Sequence, residues 1–128
     1  MARILIAKDD AAVQSFVSRA LDHRGHDTKA VDDGGEALEA LKFAGYDLLI
    51  TDIVMPRMDG IALALKVARD YPDLPVLLMT GYSQERQRAH NLEALIHDVV
   101  MKPFSLKQIC DAADAVLRAR RPNLRSLS

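Results

Sequence analysis

Five short apolar runs alternate along the chain with longer stretches of helical period. The runs cover residues 3–7, 27–31, 47–51, 75–79 and 98–101. Residues 4–7, 48–50 and 76–79 are continuously apolar, as expected of parallel strands covered on both faces. Between them, Val13, Phe16, Val17, Ala20 and Leu21 recur at steps of three and four, which predicts one helical stripe. Ala37, Leu38 and Leu41 predict a second and Ile61, Leu65 and Ala68 a third. Ile109, Ala112, Ala113, Val116 and Leu117 predict the last. Residues 84–92 form the most polar helical segment. Gly25, Gly45 and the Pro72/Pro75 pair punctuate helix ends.

Five strand-then-helix units predict an α/β fold. Its doubly wound, five-stranded parallel sheet has right-handed crossovers and helices on both faces. In such sheets the binding crevice lies beyond the carboxyl ends of the strands, where strand order reverses. Lys8 and Asp9 follow the first run, Asp52 the third, Thr80 the fourth and Lys102 the fifth. These five polar residues therefore gather at one edge, a convergence that unrelated polar residues would not produce.

Composition narrows the possibilities. The 128 residues suit one domain, expected over 1–119, with the mildly basic 120–128 as a loose, flexible tail. A net charge of −1 supplies no general attraction for nucleic acid or an anionic membrane. No apolar run approaches the roughly 20 residues that span a bilayer. The opening MARILIA lacks the features of a signal peptide, so a cytoplasmic protein is expected. The single cysteine, Cys110, falls on the apolar stripe of the last helix and reads as structural. His23, His26, His90 and His97 show no metal-ligand spacing.

A carboxylate at a strand end can attack a phosphoryl group and form an acyl phosphate. The reaction needs a cation over the phosphoryl oxygens and donors for the charge that develops. Asp52 as nucleophile, Asp9 as metal ligand, Thr80 as hydroxyl donor and Lys102 as ammonium would supply these parts. With DIVMPRMDG from Asp52 to Gly60, LLMTG ending at Gly81 and KPF from Lys102, the chain resembles the CheY-like response-regulator receiver family. That resemblance, running from Arg3 to about Leu117, implies a flavodoxin-like (βα)5 fold with strand order 2-1-3-4-5. It implies Asp52 as phosphoacceptor, loaded by a histidine kinase or a histidine phosphotransfer protein. It also implies Mg²⁺ held by Asp9, Asp52 and the backbone carbonyl of Val54, with Thr80 and Lys102 sensing the phosphoryl group. A cis bond before Pro103 follows from the same resemblance. Asp10, one place beyond the site, reads as a helix cap.

Two residues depart from the family pattern. Receivers usually carry two acids after the first strand, and here Lys8 takes the first place. Sliding the alignment by one to recover two acids would exchange the strand's faces. Asp9, Asp52, Lys8 and Lys102 sum to zero charge, where the usual site carries −2 before metal. Lys8 should therefore weaken Mg²⁺ or replace its charge, unless it swings out into solvent. The second departure is Val99, which stands where most receivers have a tyrosine or phenylalanine that rotates on activation. Tyr82 is on the wrong element to substitute for it.

No second domain follows within these residues, so output is expected through protein–protein contact, from a monomer or weak dimer. MARILIA, DGIALAL and LEALIHDVV followed by KPFSL resemble CpdR-type receivers of alphaproteobacteria. Those are adaptors of the ClpXP protease in cell-cycle control, silenced by phosphorylation. The likeness implies a ClpX-type unfoldase and its substrates as partners, with recruitment to a cell pole. A phosphorelay shuttle without its own output is the alternative. An aspartyl-phosphate phosphatase would need a second acid two residues after Asp52, where Val54 stands, so no enzyme is expected.

Overall fold

The computed structural model of the chain describes residues 2–53, 55, 58–80, 98–101 and 105–126. Five parallel strands form one sheet: β1 Arg3–Ala7, β2 Asp27–Val31, β3 Leu48–Asp52, β4 Val76–Thr80 and β5 Asp98–Met101. Their order is β2-β1-β3-β4-β5, the doubly wound arrangement with its switch point between β1 and β3. Among the described residues the helices are α1 Ala11–His23, α2 Gly34–Phe43, α3 Gly60–Asp70 and α4 Leu106–Ser126. The helix predicted over 84–92 lies outside the described residues.

Alternation within the strands divides the core into two layers. Ile4, Ile6, Leu48, Ile50, Leu77 and Met79 face α1 and α4, where Val17, Leu21, Ile109, Cys110 and Ala113 close over them. Leu5, Ala7, Leu49, Val76 and Leu78 face α2 and α3, against Ala37, Leu41, Ile61, Ala64 and Val67. All five residues of β3 are buried, which is why its sequence shows no polar alternation. Cys110 is a packed core residue of the first layer, and burial raises its thiol above the ordinary value.

Two strand ends extend one residue beyond the apolar runs. Asp52 pairs with Met79 across β3 and β4, and Thr80 pairs with Met101 across β4 and β5. The backbone ladder needs only aligned N–H and C=O groups, so it continues past the last apolar side chain.

Aspartates start the first three helices. Asp10 accepts from the Ala12 and Val13 amides at 2.8 and 3.3 Å, as a cap should. Asp33 does the same for α2 and Asp59 for α3. At the other end of the chain, residues 120–126 are helical, where the sequence predicts a loose tail from 120. Arg118, Arg120 and Arg121 are good helix formers, which favours continuing the helix. The helix continues across Pro122, at the loss of one helical hydrogen bond.

Candidate functional site

The register places the site. Ala7 pairs with Thr51, so Lys8 leaves β1 beside Asp52 on the neighbouring central strand. The Asp52 carboxylate is almost wholly buried. One of its oxygens, Oδ1, accepts from the Ile53 amide at 3.0 Å. The other, Oδ2, accepts a hydrogen bond from Nζ of Lys8. The same ammonium lies 3.3 Å from Oδ1 of Asp9, so one cation bridges two carboxylates.

Lys8 does not swing out into solvent. Its side chain is only 12% exposed, against 43% for Asp9. Burial alone pulls the ammonium down, but hydrogen bonding and charge from Asp52, then from Asp9, outweigh it. The group is held above the ordinary lysine value and stays charged at neutral pH. Its backbone is pinned as well. The Lys8 amide donates to the Val31 carbonyl at 3.1 Å, and its carbonyl accepts from the Gln14 side-chain amide.

A model of the response regulator receiver domain matches residues 4–114, nearly the whole described fold and all of this edge. The chain belongs to the response-regulator receiver family. Response regulator MprA of Mycobacterium leprae is 34% identical over 121 residues, covering 94% of this chain and 53% of that protein. MprA of Mycobacterium avium is 33% identical over 120 residues, with the same two coverages. The chain thus spans about half the length of the curated relatives it matches. Among solved structures, the signal receiver domain of a histidine kinase from Syntrophus aciditrophicus superposes with a TM-score of 0.86. That pair is 29% identical, covering 94% of this chain and 93% of that one. Response regulator TrrA from Thermotoga maritima, solved in complex with Mg²⁺ and BeF, gives a TM-score of 0.82 at 26% identity. The match covers 91% of this chain and 99% of that one.

Receiver domains are phosphoacceptor regulators of two-component signalling, phosphorylated by histidine kinases, and they generally bind Mg²⁺. Among the described residues, the donor set of this receiver does not fit that ion. Among the described residues no three His, Cys, Asp or Glu side chains come together as a metal site. The two carboxylates that do converge, Asp9 and Asp52, already share the ammonium of Lys8. A divalent ion brought to ~4 Å of that ammonium would meet about 8 kcal/mol of repulsion at an effective ε of ~20, which cancels the attraction of one of the two carboxylates at the same distance. Magnesium also gives up water reluctantly and is usually held by one or two carboxylates, here the same two that Lys8 occupies.

The receiver fold therefore brings together Lys8, Asp9 and Asp52, and it assigns Asp10 to the α1 cap. Thr80 ends β4 at the same edge, and Val99 sits in β5 paired with Leu78. Val54, Tyr82 and Lys102, with Pro103 and the residues between 81 and 97, lie outside the described residues. Two positions carry more than their sequence suggested. The two N–H groups of the Gln14 side chain are shared among the carbonyls of Lys8 and Val31 and Oδ1 of Asp32, tying β1, β2 and α1 together behind the site. Gly60 donates to the Ile53 carbonyl at 2.7 Å and brings the start of α3 against the Asp52 backbone. A lone helical glutamine gives no sequence signal, whereas Gly60 already stood inside the DIVMPRMDG motif.

No described helix is long and apolar enough to cross a membrane.

Proposed function

We propose that this receiver accepts a phosphoryl group on Asp52 from a phosphohistidine of a histidine kinase or phosphotransfer protein, and signals through protein contacts. One observation carries the reading. A nearly wholly buried carboxylate stands at the carboxyl end of the central strand, with a cation on one oxygen and a backbone amide on the other. In that reading the receiver unit spans 1–119, Thr80 supplies a hydroxyl and Lys102 an ammonium to the acyl phosphate. The experiment is transfer from a radiolabelled phosphotransfer protein. Wild type should become labelled and Asp52→Asn should remain blank, and substantial label on the variant would defeat the assignment.

The finer reading is that of an adaptor that delivers substrates to a ClpX-type unfoldase. It rests on the MARILIA, DGIALAL and LEALIHDVV stretches and their likeness to CpdR-type receivers. Under it the unphosphorylated form binds unfoldase or substrate at least about tenfold more tightly than the phosphorylated form, a difference of ~1.4 kcal/mol. Binding measured by biolayer interferometry should show that order. Equal binding by both forms would leave the shuttle, which has no output partner of its own. Val54, the residue two places after Asp52, has no carboxyl group, which argues against a phosphatase.

A further inference from the structure

We propose that Lys8 is a cation built into the acceptor site, and that its ammonium takes the place of a divalent metal so that Asp52 accepts a phosphoryl group without Mg²⁺. The inference rests on the reading of Asp52 as acceptor. Among the described residues, the two converging carboxylates already hold an ammonium and offer no vacant metal position.

Three features of the geometry support it. The Lys8 ammonium touches Oδ2 of Asp52 and lies 3.3 Å from Oδ1 of Asp9, the two carboxylates between which a metal would have to settle. A lysine has three N–H donors. Among the described residues two are engaged by those carboxylates, which leaves the third for an oxygen of an incoming phosphoryl group. The lysine is also held from behind. Its amide is fixed on the Val31 carbonyl, and its own carbonyl is clamped by Gln14, which is anchored on Val31 and Asp32 at 3.0 and 2.9 Å. A pinned backbone with a side chain 12% exposed is a preorganised donor, and an approaching anion would find it already in place.

The step balances without a metal. A lone pair on an Asp52 carboxylate oxygen forms the O–P bond as the N–P bond of the phosphohistidine breaks. The imidazole, already protonated on its other ring nitrogen, leaves neutral with the bonding pair. No oxidant, reductant or further proton is required. The ammonium screens the carboxylate from the phosphoryl oxygens as they approach, and it then pairs with them in the acyl phosphate. Because this cation is covalently attached, its occupancy does not depend on the magnesium concentration.

Phosphoramidate, a small N–P donor, tests the proposal without needing the cognate kinase. Wild type, Lys8→Glu and Lys8→Met are incubated with it in excess Mg²⁺ and in EDTA, with Asp52→Asn as the blank, and incorporation is followed by intact-protein mass. Wild-type rates in the two solutions should agree within about threefold, while both Lys8 variants fall at least about tenfold in EDTA and recover with Mg²⁺. A magnesium titration followed by NMR gives a readout apart from incorporation. The amides of Asp9, Asp52 and Ile53 should stay unmoved in wild type and shift with saturation in Lys8→Glu. Wild-type incorporation that requires Mg²⁺, or wild-type magnesium affinity equal to that of Lys8→Glu, would overturn the proposal and leave Asp52 standing as acceptor. Incorporation by none of the three proteins in either solution would overturn the acceptor reading, and this proposal with it.

Discussion

Alanine at position 60 should destabilise the domain by roughly 3 kcal/mol or more, at or above the upper end of the usual range for overpacking. A Cβ there would lie 2.0 Å from the Asp52 carbonyl oxygen, 2.8 Å from its carbon and 3.0 Å from the Ile53 Cα. The obstacle is backbone, so no rotamer change can relieve it. Nor can α3 simply lift away, because Gly60 donates to the Ile53 carbonyl at 2.7 Å and Asp59 caps the helix on the Ala62 amide at 2.8 Å. Relief has to come from moving the backbone of Asp52 itself, so phosphoryl incorporation should fall together with stability. Gly45→Ala is the control, since a Cβ there meets nothing within 4 Å. Urea unfolding of both variants measures the difference. A Gly60→Ala protein within about 0.5 kcal/mol of wild type would show that the close approach of α3 to β3 is not a constraint on this fold.

Lys8→Met should cost about 2–3 kcal/mol. Removing one partner of a fully buried ion pair typically costs ~3–5 kcal/mol, because the remaining charge is left uncompensated. The Asp52 side chain is 2% exposed, which puts it in that class, but Lys8 keeps 12% of its own exposed. Asp52 also has interactions beyond Lys8 and the Ile53 amide, so the cost falls at or just below the bottom of that range. The pH dependence has a definite sign. The folded-state pKa of Lys8 lies above its unfolded value, so the pair's stabilisation is complete below the unfolded value and is lost as pH rises through the folded one. Thermal melts should therefore separate wild type from Lys8→Met at neutral pH, and the gap should close above the ordinary lysine pKa of ~10.4. A gap that stays constant to high pH would mean that packing of the lysine stem, and not its charge, stabilises the site.

Much of this architecture is written in local pattern. Continuous apolar runs bounded by polar residues mark strands buried on both faces, and β3, buried at every residue, is the clearest of them. Apolar positions at steps of three and four mark helices, so α1 and α3 could be placed before any contact was known. Both signals arise within one element, from the periods of the backbone itself. The strand ends were less legible. Asp52 and Thr80 prolong β3 and β4 because of what their neighbours offer the ladder, and a run of apolar letters cannot record that. The last helix shows the same limit in reverse, since the sequence pattern loses its apolar stripe near Leu117 while the backbone keeps its turn to Ser126.

The candidate site divides in the same way. That Lys8, Asp9, Asp52 and Thr80 reach one edge follows from the sequence alone, because parallel strands joined by right-handed crossovers must all end on the same side. The chain order of these residues also identifies Lys8 as the departure from the family pattern. Which way that lysine turns could not be read there, since a flexible side chain at a strand end can reach solvent or a neighbouring strand with equal covalent ease. The fold decides it through long-range contacts: β3 lies beside β1 and presents Asp52, while Gln14 and Val31 fix the lysine's backbone from behind. Local periodicity is a property of consecutive residues, and it determined the elements and the edge. The ion pair between residues 8 and 52 forms only when two strands far apart in the chain become neighbours, and only the tertiary structure could settle it.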